Sequence, residues 1–385
     1  MGRIQDLSIC LDNASAVYRV GESICGSVSL TLANSTKIPQ ISIHLFGKSM
    51  VNIGKEIADE GENNENDEEE DKTDDTNNDI YVDDYKIIWG DSNASTIFAP
   101  GKNNLRFEFV LPSSNLPTSF EGEHGSIRYW LDAEIDPGMF DFDKKSRKII
   151  TVINTVDLTH PMYAVKMSAN KEKVLRNAKC CSKPQQLYFN LVLERRSYSP
   201  GESLIYSGEI MNSSNKKIKP SVSFHQKSTY SQEMNSKVTD KIVTSEDLQM
   251  VSKKDTQNWS NFALQMPPIP PSFKCKYIEV EYYLKLSLKV SRSKETSVCI
   301  PVLIGTVPLP MHLPPVVDTT ATMSSSSSSG FGGGGVGRSK SMSTEFLLSG
   351  SQYASSVFGP VDTDTNEKVL GDSKYIPMYS YFDPT

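Results

Sequence analysis

Residues Tyr277–Val290 read YIEVEYYLKLSLKV. Ile278, Val280, Tyr282, Leu284, Leu286, Leu288 and Val290 fall on one side of this stretch, and Glu279, Glu281, Lys285 and Lys289 on the other. Successive side chains point to opposite faces of a β-strand, so a period of two sustained over thirteen residues predicts one face on a core and one in solvent. A helix would scatter the same residues around its whole circumference. The stretch is therefore a half-buried strand of an antiparallel sheet.

The same pattern recurs upstream. In IRYWLDAEI, Ile127, Tyr129, Leu131, Ala133 and Ile135 alternate with Arg128, Asp132 and Glu134. In SICGSVSLTL, Ile24, Val28, Leu30 and Leu32 share a face. This last stretch belongs to a longer clause, Arg19–Ile38 (RVGESICGSVSLTLANSTKI), with a near-double at Ser199–Ile218 (SPGESLIYSGEIMNSSNKKI). Further on, Ser119-Phe120 precedes Tyr129-Trp130-Leu131 by the offset that separates Ser272-Phe273 from Tyr282-Tyr283-Leu284. Equal offsets keep each inward face inward, because a slip of one residue turns every side chain over. A repeat of whole-domain size, nearly without helical periodicity, predicts an all-β chain of two tandem antiparallel β-sandwiches. The short helix candidate is Asn170–Ala178. Pro200-Gly201 suits the centre of a type II turn, with glycine supplying the positive φ, and Val20-Gly21 is a looser version.

The boundaries follow. Residues 1–163 form the first sandwich, 164–183 a polar and basic connector, and 184–312 the second sandwich. Residues 313–385 form a disordered tail that carries a serine run and a glycine run and ends in aromatic short-motif sequence. Residues 59–79 hold twelve acids and one lysine; removing this segment's −11 from the net charge of −7 leaves a mildly basic +4. Like charges with nothing to bury predict a disordered loop inserted in the first sandwich.

No apolar run reaches the roughly 18 residues of a membrane span, and MGRIQDLSIC has no signal-peptide core. An intracellular, soluble protein is expected. The six cysteines form no CxxC pair and the five histidines are scattered singly, so neither a metal site nor a disulfide framework is expected. The cysteines within strand patterns read as small core residues, and Cys180-Cys181 as part of the exposed connector. GxSxG, HExxH and P-loop signatures are absent, and no catalytic residue or cofactor is assigned. An excess of +4 without a basic, aromatic-studded surface argues against nucleic acid. Basic clusters at Lys144-Lys145, Arg195-Arg196 and Lys216-Lys217 are candidate phosphate or acidic-lipid contacts. In the tail, Pro377, Tyr379 and Tyr381 are the candidate partner-binding residues, since exposed aromatics beside proline suit a partner's peptide groove. The competing reading has these tyrosines packed back on a sandwich edge.

The stretch Leu116–Asp136, LPTSFEGEHGSIRYWLDAEID, resembles the signature of the α-arrestins, the arrestin domain-containing proteins. Further matching residues are Thr155-Val156-Asp157-Leu158, Tyr198 with Pro200-Gly201-Glu202, Pro268 through Ser272 with Cys275 and Tyr282, and Ile304 through Leu309. The resemblance covers about residues 4 to 312. It implies arrestin N and C domains, each an immunoglobulin-like β-sandwich, and a non-catalytic cytoplasmic adaptor acting peripherally at plasma membrane and endosomes. Its implied cargo is membrane receptors or transporters, which it brings to HECT-type ubiquitin ligases whose WW domains grip PPxY motifs, promoting ubiquitination, endocytosis and sorting. This sequence departs from that pattern. Pro314-Pro315 is followed by Val316-Val317, and Ile376 stands before Pro377-Met378-Tyr379, so no PPxY is present. The alternative implied is an arrestin-fold scaffold that recruits no ligase.

Overall fold

A computed structural model describes residues 4–53, 78–90, 96–135, 144–175, 185–232, 235–290, 295–309, 352–360 and 375–382. The first sandwich contains β1 (Ile4–Leu11), β2 (Val17–Arg19), β3 (Ser23–Leu32), β4 (Thr36–Ile38), β5 (Ile41–Val51) and β6 (Asn78–Trp89). It continues with β7 (Thr96–Phe98), β8 (Gly101–Val110), β9 (Phe120–Gly122), β10 (Gly125–Ile135) and β11 (Lys144–Ile153). The second contains β12 (Met167–Leu175), β13 (Gln185–Leu193), β14 (Ser197–Tyr198), β15 (Ser203–Asn212) and β16 (Ile218–Gln232). It is completed by β17 (Asn235–Asp247), β18 (Asp255–Gln265), β19 (Phe273–Lys274), β20 (Ile278–Val290) and β21 (Thr296–Ile304).

Each domain stacks a small sheet on a larger one. In the first, β1-β3-β8 faces β2-β11-β10-β5-β6; in the second, β12-β13-β15-β18 faces β14-β21-β20-β16-β17. Strand β20 carries the alternation read from its sequence, with Leu284, Leu286 and Leu288 fully buried between the sheets. The doubled clause is also physical. Gly21 and Gly201 take φ of +83° and +97°, and Glu22 N and Glu202 N each close the turn on a carbonyl three residues back at 3.1 Å. The two glutamate side chains are equivalent as well. Glu22 Oε2 accepts from Arg19 N, and Glu202 Oε2 accepts from Ser199 N. Later in each domain Tyr129 Oη donates to Pro117 O and Tyr282 Oη donates to Pro270 O, both at 2.7 Å.

The domains meet along a seam of equivalent parts. Phe120 and Phe273 touch edge to face at 5.6 Å between ring centroids. Asp157 and Val307 form a parallel bridge, and Val156 N donates to Thr306 Oγ1 at 2.8 Å. A Cβ on Gly122 would lie 2.1 Å from Tyr230 Oη. A single apolar cluster runs through both cores.

Four expectations need correction or placement. Residues 170–175 of the helix candidate lie in strand β12, within the expected connector and paired antiparallel to β13, and residues 176–178 lie outside the described residues. A short isolated helix is marginal in water, whereas this polar stretch completes the open edge of a sheet and needs only one apolar face. Cys10 and Cys299 are exposed and Cys25 half-buried, because each sits in a strand on or near its outward face; Cys275, in the turn between β19 and β20, is also half-buried. The acidic segment lies outside the described residues except for Asn78 and Asp79, which open β6; Cys180 and Cys181 also lie outside them. The region expected as a free tail contributes an antiparallel hairpin of β22 (Gln352–Ser355) and β23 (Met378–Tyr381), seated on both domains.

Tyr129→Phe and Tyr282→Phe each leave a buried prolyl carbonyl without its donor, so each is expected to lower stability by about 1–3 kcal/mol in urea unfolding. At the seam, His124 packs edge to face on Tyr230. Burial holds its imidazole below the ordinary range, Lys237 and Lys241 add to the lowering, and Glu123 opposes it. A depressed folded value means that this stabilisation is present above the unfolded imidazole value of about 6.5 and is lost as pH falls through the folded one. Unfolding titrations from about pH 7.5 to 5 should show stability falling with acid, and His124→Gln should flatten the slope.

Candidate functional site

The sheet of the first sandwich has an outward face that the alternation assigns to solvent. Much of it is covered. Trp130 is 5% exposed and Arg128 fully buried. Arg128 forms a two-pronged ion pair with Glu121, both N–O distances 2.6 Å. Burial pushes the Glu121 carboxyl upward and the guanidinium offsets this in part. Beside this pair, Met50 and Trp130 make an apolar patch flanked by Phe46 and Ile149.

The tail hairpin supplies the cover. Tyr375 packs on the Met50–Trp130 patch, and its hydroxyl lies 3.0 Å from Thr151 Oγ1. Tyr379 is 2% exposed and donates to Ser119 O at 3.1 Å. The other side of the seat is the second domain: Phe382 N donates to Pro200 O at 2.9 Å and Val357 N to Pro268 O at 3.0 Å. A Cβ on Gly201 would fall 1.9 Å from Phe382 O, so the turn glycine is also where the tail backbone makes its close approach. Lys241 stands 5.8 Å from the Phe358 ring centre and Arg19 5.9 Å from that of Tyr353. The three tail residues read as partner contacts are thus brought together, with Pro377 and Tyr379 buried and Tyr381 half-buried. The reading that packs these aromatics back on the domains describes their placement.

The basic clusters separate. Lys145 pairs with Glu134 at 3.1 Å, and Lys144 opens β11 opposite Ile135. Arg195 is paired with Glu202 at 2.8 Å and lies 4.4 Å from the Tyr198 ring centre, while Arg196 is exposed. Lys216 and Lys217 join Lys219, Lys253 and Lys289 around an open cleft of about 680 Å³ at one end of the second sandwich. Asp247 neutralises Lys219 at the rim. The pairings across β15, β16 and β20 collect lysines that stand up to 73 positions apart, which is why the sequence shows only Lys216, Lys217 and Lys219 as a cluster.

One arrangement has the outline of a hydrolase triad. Ser223 Oγ lies 2.8 Å from His225 Nε2, whose Nδ1 is 2.9 Å from Asp240 Oδ1. Tyr283 stacks on the imidazole and donates to Asp240. Acyl transfer also requires backbone donors aimed at the developing oxyanion. Strand β16 runs between β17 and β20, so its amides lie in the sheet plane and serve those ladders. The cluster therefore reads as a polar clamp fastening the β16–β17 hairpin to β20. Among the described residues, no group of three His, Cys, Asp or Glu side chains is placed to hold a metal ion, and no helix is long and apolar enough to cross a membrane.

Comparison with known proteins agrees with this architecture. Residues 7–159 match the family described as "Arrestin (or S-antigen), N-terminal domain", and residues 183–309 match "Arrestin (or S-antigen), C-terminal domain". The chain is 26% identical to mouse arrestin domain-containing protein 4 over 80% of its own length and 73% of that protein's. It is 25% identical to arrestin domain-containing protein 17 of Caenorhabditis elegans, over 80% and 72% respectively. Pig thioredoxin-interacting protein is 24% identical over 79% and 75%. With both domain matches in order and relatives aligned along most of its length, the chain belongs to the arrestin family, in its arrestin domain-containing (α-arrestin) branch, and is an arrestin-type adaptor or scaffold.

Proposed function

We propose that this chain is a non-catalytic cytosolic adaptor that binds membrane receptors or transporters as cargo and promotes their ubiquitination, endocytosis and endosomal sorting. The observation that carries the membrane-proximal part of this reading is the lysine cleft. Lys216, Lys217, Lys219, Lys253 and Lys289 converge there, with Asp247 pairing to Lys219. Phosphate groups gain strong charge-assisted hydrogen bonds from such a cluster, and an anionic leaflet attracts it by about 1 kcal/mol per basic residue. The cleft is open and its walls are protein surface rather than a closed pocket, which suits a head group held peripherally.

A second reading has the arrestin fold serving as a sorting or signalling scaffold that recruits no ligase. Its support is the tail. IPMY lacks the first proline of PPxY, and Tyr379 is buried between the hairpin and the first domain, so a WW groove reaches it only after the hairpin leaves.

Co-sedimentation of the full chain with phosphoinositide-containing vesicles tests the first part. Binding is expected to fall more than tenfold for Lys216→Glu/Lys217→Glu/Lys253→Glu and to weaken as salt rises. Equal binding by wild type and variant removes the cleft from the proposal. For ligase recruitment, an array of immobilised WW domains should capture the intact chain and lose it on Tyr379→Ala. No capture of the intact chain selects the scaffold.

A further inference from the structure

We propose that the seam beneath the tail hairpin is a peptide-binding groove that accepts an extended partner segment carrying two tyrosines four residues apart, Tyr-x-x-x-Tyr. Residues 375–382 are its resident occupant in cis. The outward face of a sheet is normally wet, yet here Trp130, Thr151 and Ser126 are at most 5% exposed. The groove has two kinds of subsite. One is the apolar patch of Met50 and Trp130, which takes the ring of Tyr375, with Thr151 Oγ1 at its hydroxyl. The other is the buried slot that takes Tyr379, with Ser119 O accepting from its hydroxyl. Between and beyond these, Thr151 Oγ1 accepts from Met378 N at 3.4 Å and Pro200 O from Phe382 N.

The partner chemistry follows from these contacts. Both hydroxyls meet uncharged oxygen partners of the protein, and the slots take aromatic rings, so the groove suits unmodified tyrosine. A phosphate in the buried slot would lie against Ser119 O, a carbonyl that donates no hydrogen bond, with its charges unsatisfied. Main-chain bonds to Thr151 and Pro200 require an extended peptide. The resident segment is joined to the second sandwich through residues 310–374 of the same chain. A tether of that kind raises its effective concentration to the order of millimolar, so a partner segment competes by matching the same subsites. The inference stands on the groove's geometry and does not depend on ligase recruitment or on the lysine cleft.

The test uses full-length chains and a fluorescent peptide of sequence YIPMYSYF. Tyr375→Ser/Tyr379→Ser empties the two slots while leaving the domains and tether in place. This variant is expected to bind the peptide at least tenfold more tightly than wild type by fluorescence polarisation. Adding Thr151→Val to it should weaken binding about tenfold, and a peptide whose residues equivalent to Tyr375 and Tyr379 are replaced by alanine should not bind. Equal affinity of wild type and emptied chain, or indifference to Thr151→Val, overturns the proposal. Should the emptied chain fail to fold, wild type decides the matter. Excess unlabelled peptide should accelerate amide exchange at Met378 and Phe382, and unchanged exchange rejects the groove. Light scattering identifies the remaining occupant: wild type is expected to be monomeric, and a dimer that dissociates on Tyr379→Ser would assign the groove to a second copy's tail and overturn the partner reading.

Discussion

The contact of Phe120 with Phe273 couples two otherwise complete sandwiches into one body. Each ring belongs to the short strand that pairs with an equivalent inner strand of its domain, β9 with β10 and β19 with β20, so the seam is built from the same part used twice. The hydrogen bonds of Val156 and Thr306 extend it, and Gly122 lets Tyr230 approach closer than any side chain would permit. The rest depends on this junction. The tail hairpin has a seat only because Ser119 and Thr151 of one domain stand opposite Pro200 and Pro268 of the other.

The fold was legible because its information is local and repeated. Alternation in β20 and β10 assigns the inward residues, and matched offsets around Phe120 and Phe273 assign the duplication. What stayed hidden depended on distant partners. Strand β12 looks helical by composition and becomes a strand because β13 offers it an edge. Arg128 looks solvent-facing by periodicity and is buried because another part of the chain lies over it. Ser223, His225 and Asp240 look unrelated until the β16–β17 pairing brings Asp240 beside the imidazole. The lysine cleft shows the same limit: Lys216 and Lys217 are visible as neighbours, whereas Lys253 and Lys289 reach them only through the sheet.

The tail illustrates a different point about exposed aromatics. Tyrosine and proline in polar sequence announce that a surface awaits them, without saying whether that surface is foreign. Here both Tyr375 and Tyr379 find hydroxyl partners on the first domain. Burial of such rings with their hydroxyls satisfied is favourable on both counts, so self-association outcompetes solvent even though the segment has little periodicity of its own. A motif for others and a motif for the chain itself share one composition.

The two turn glycines carry a longer consequence. Gly21 and Gly201 began as equivalents in a duplicated hairpin and still share their backbone angles. Their surroundings have parted. A methyl group on Gly21 would make an ordinary contact with Ser113 at 3.5 Å, whereas one on Gly201 would collide with the main chain of Phe382. The sister position thus records what the hairpin alone demands, and whatever Gly201 demands in addition is a measure of what the tail has acquired. Internal duplication leaves this molecule carrying its own reference, against which the added obligation of one copy can be read directly.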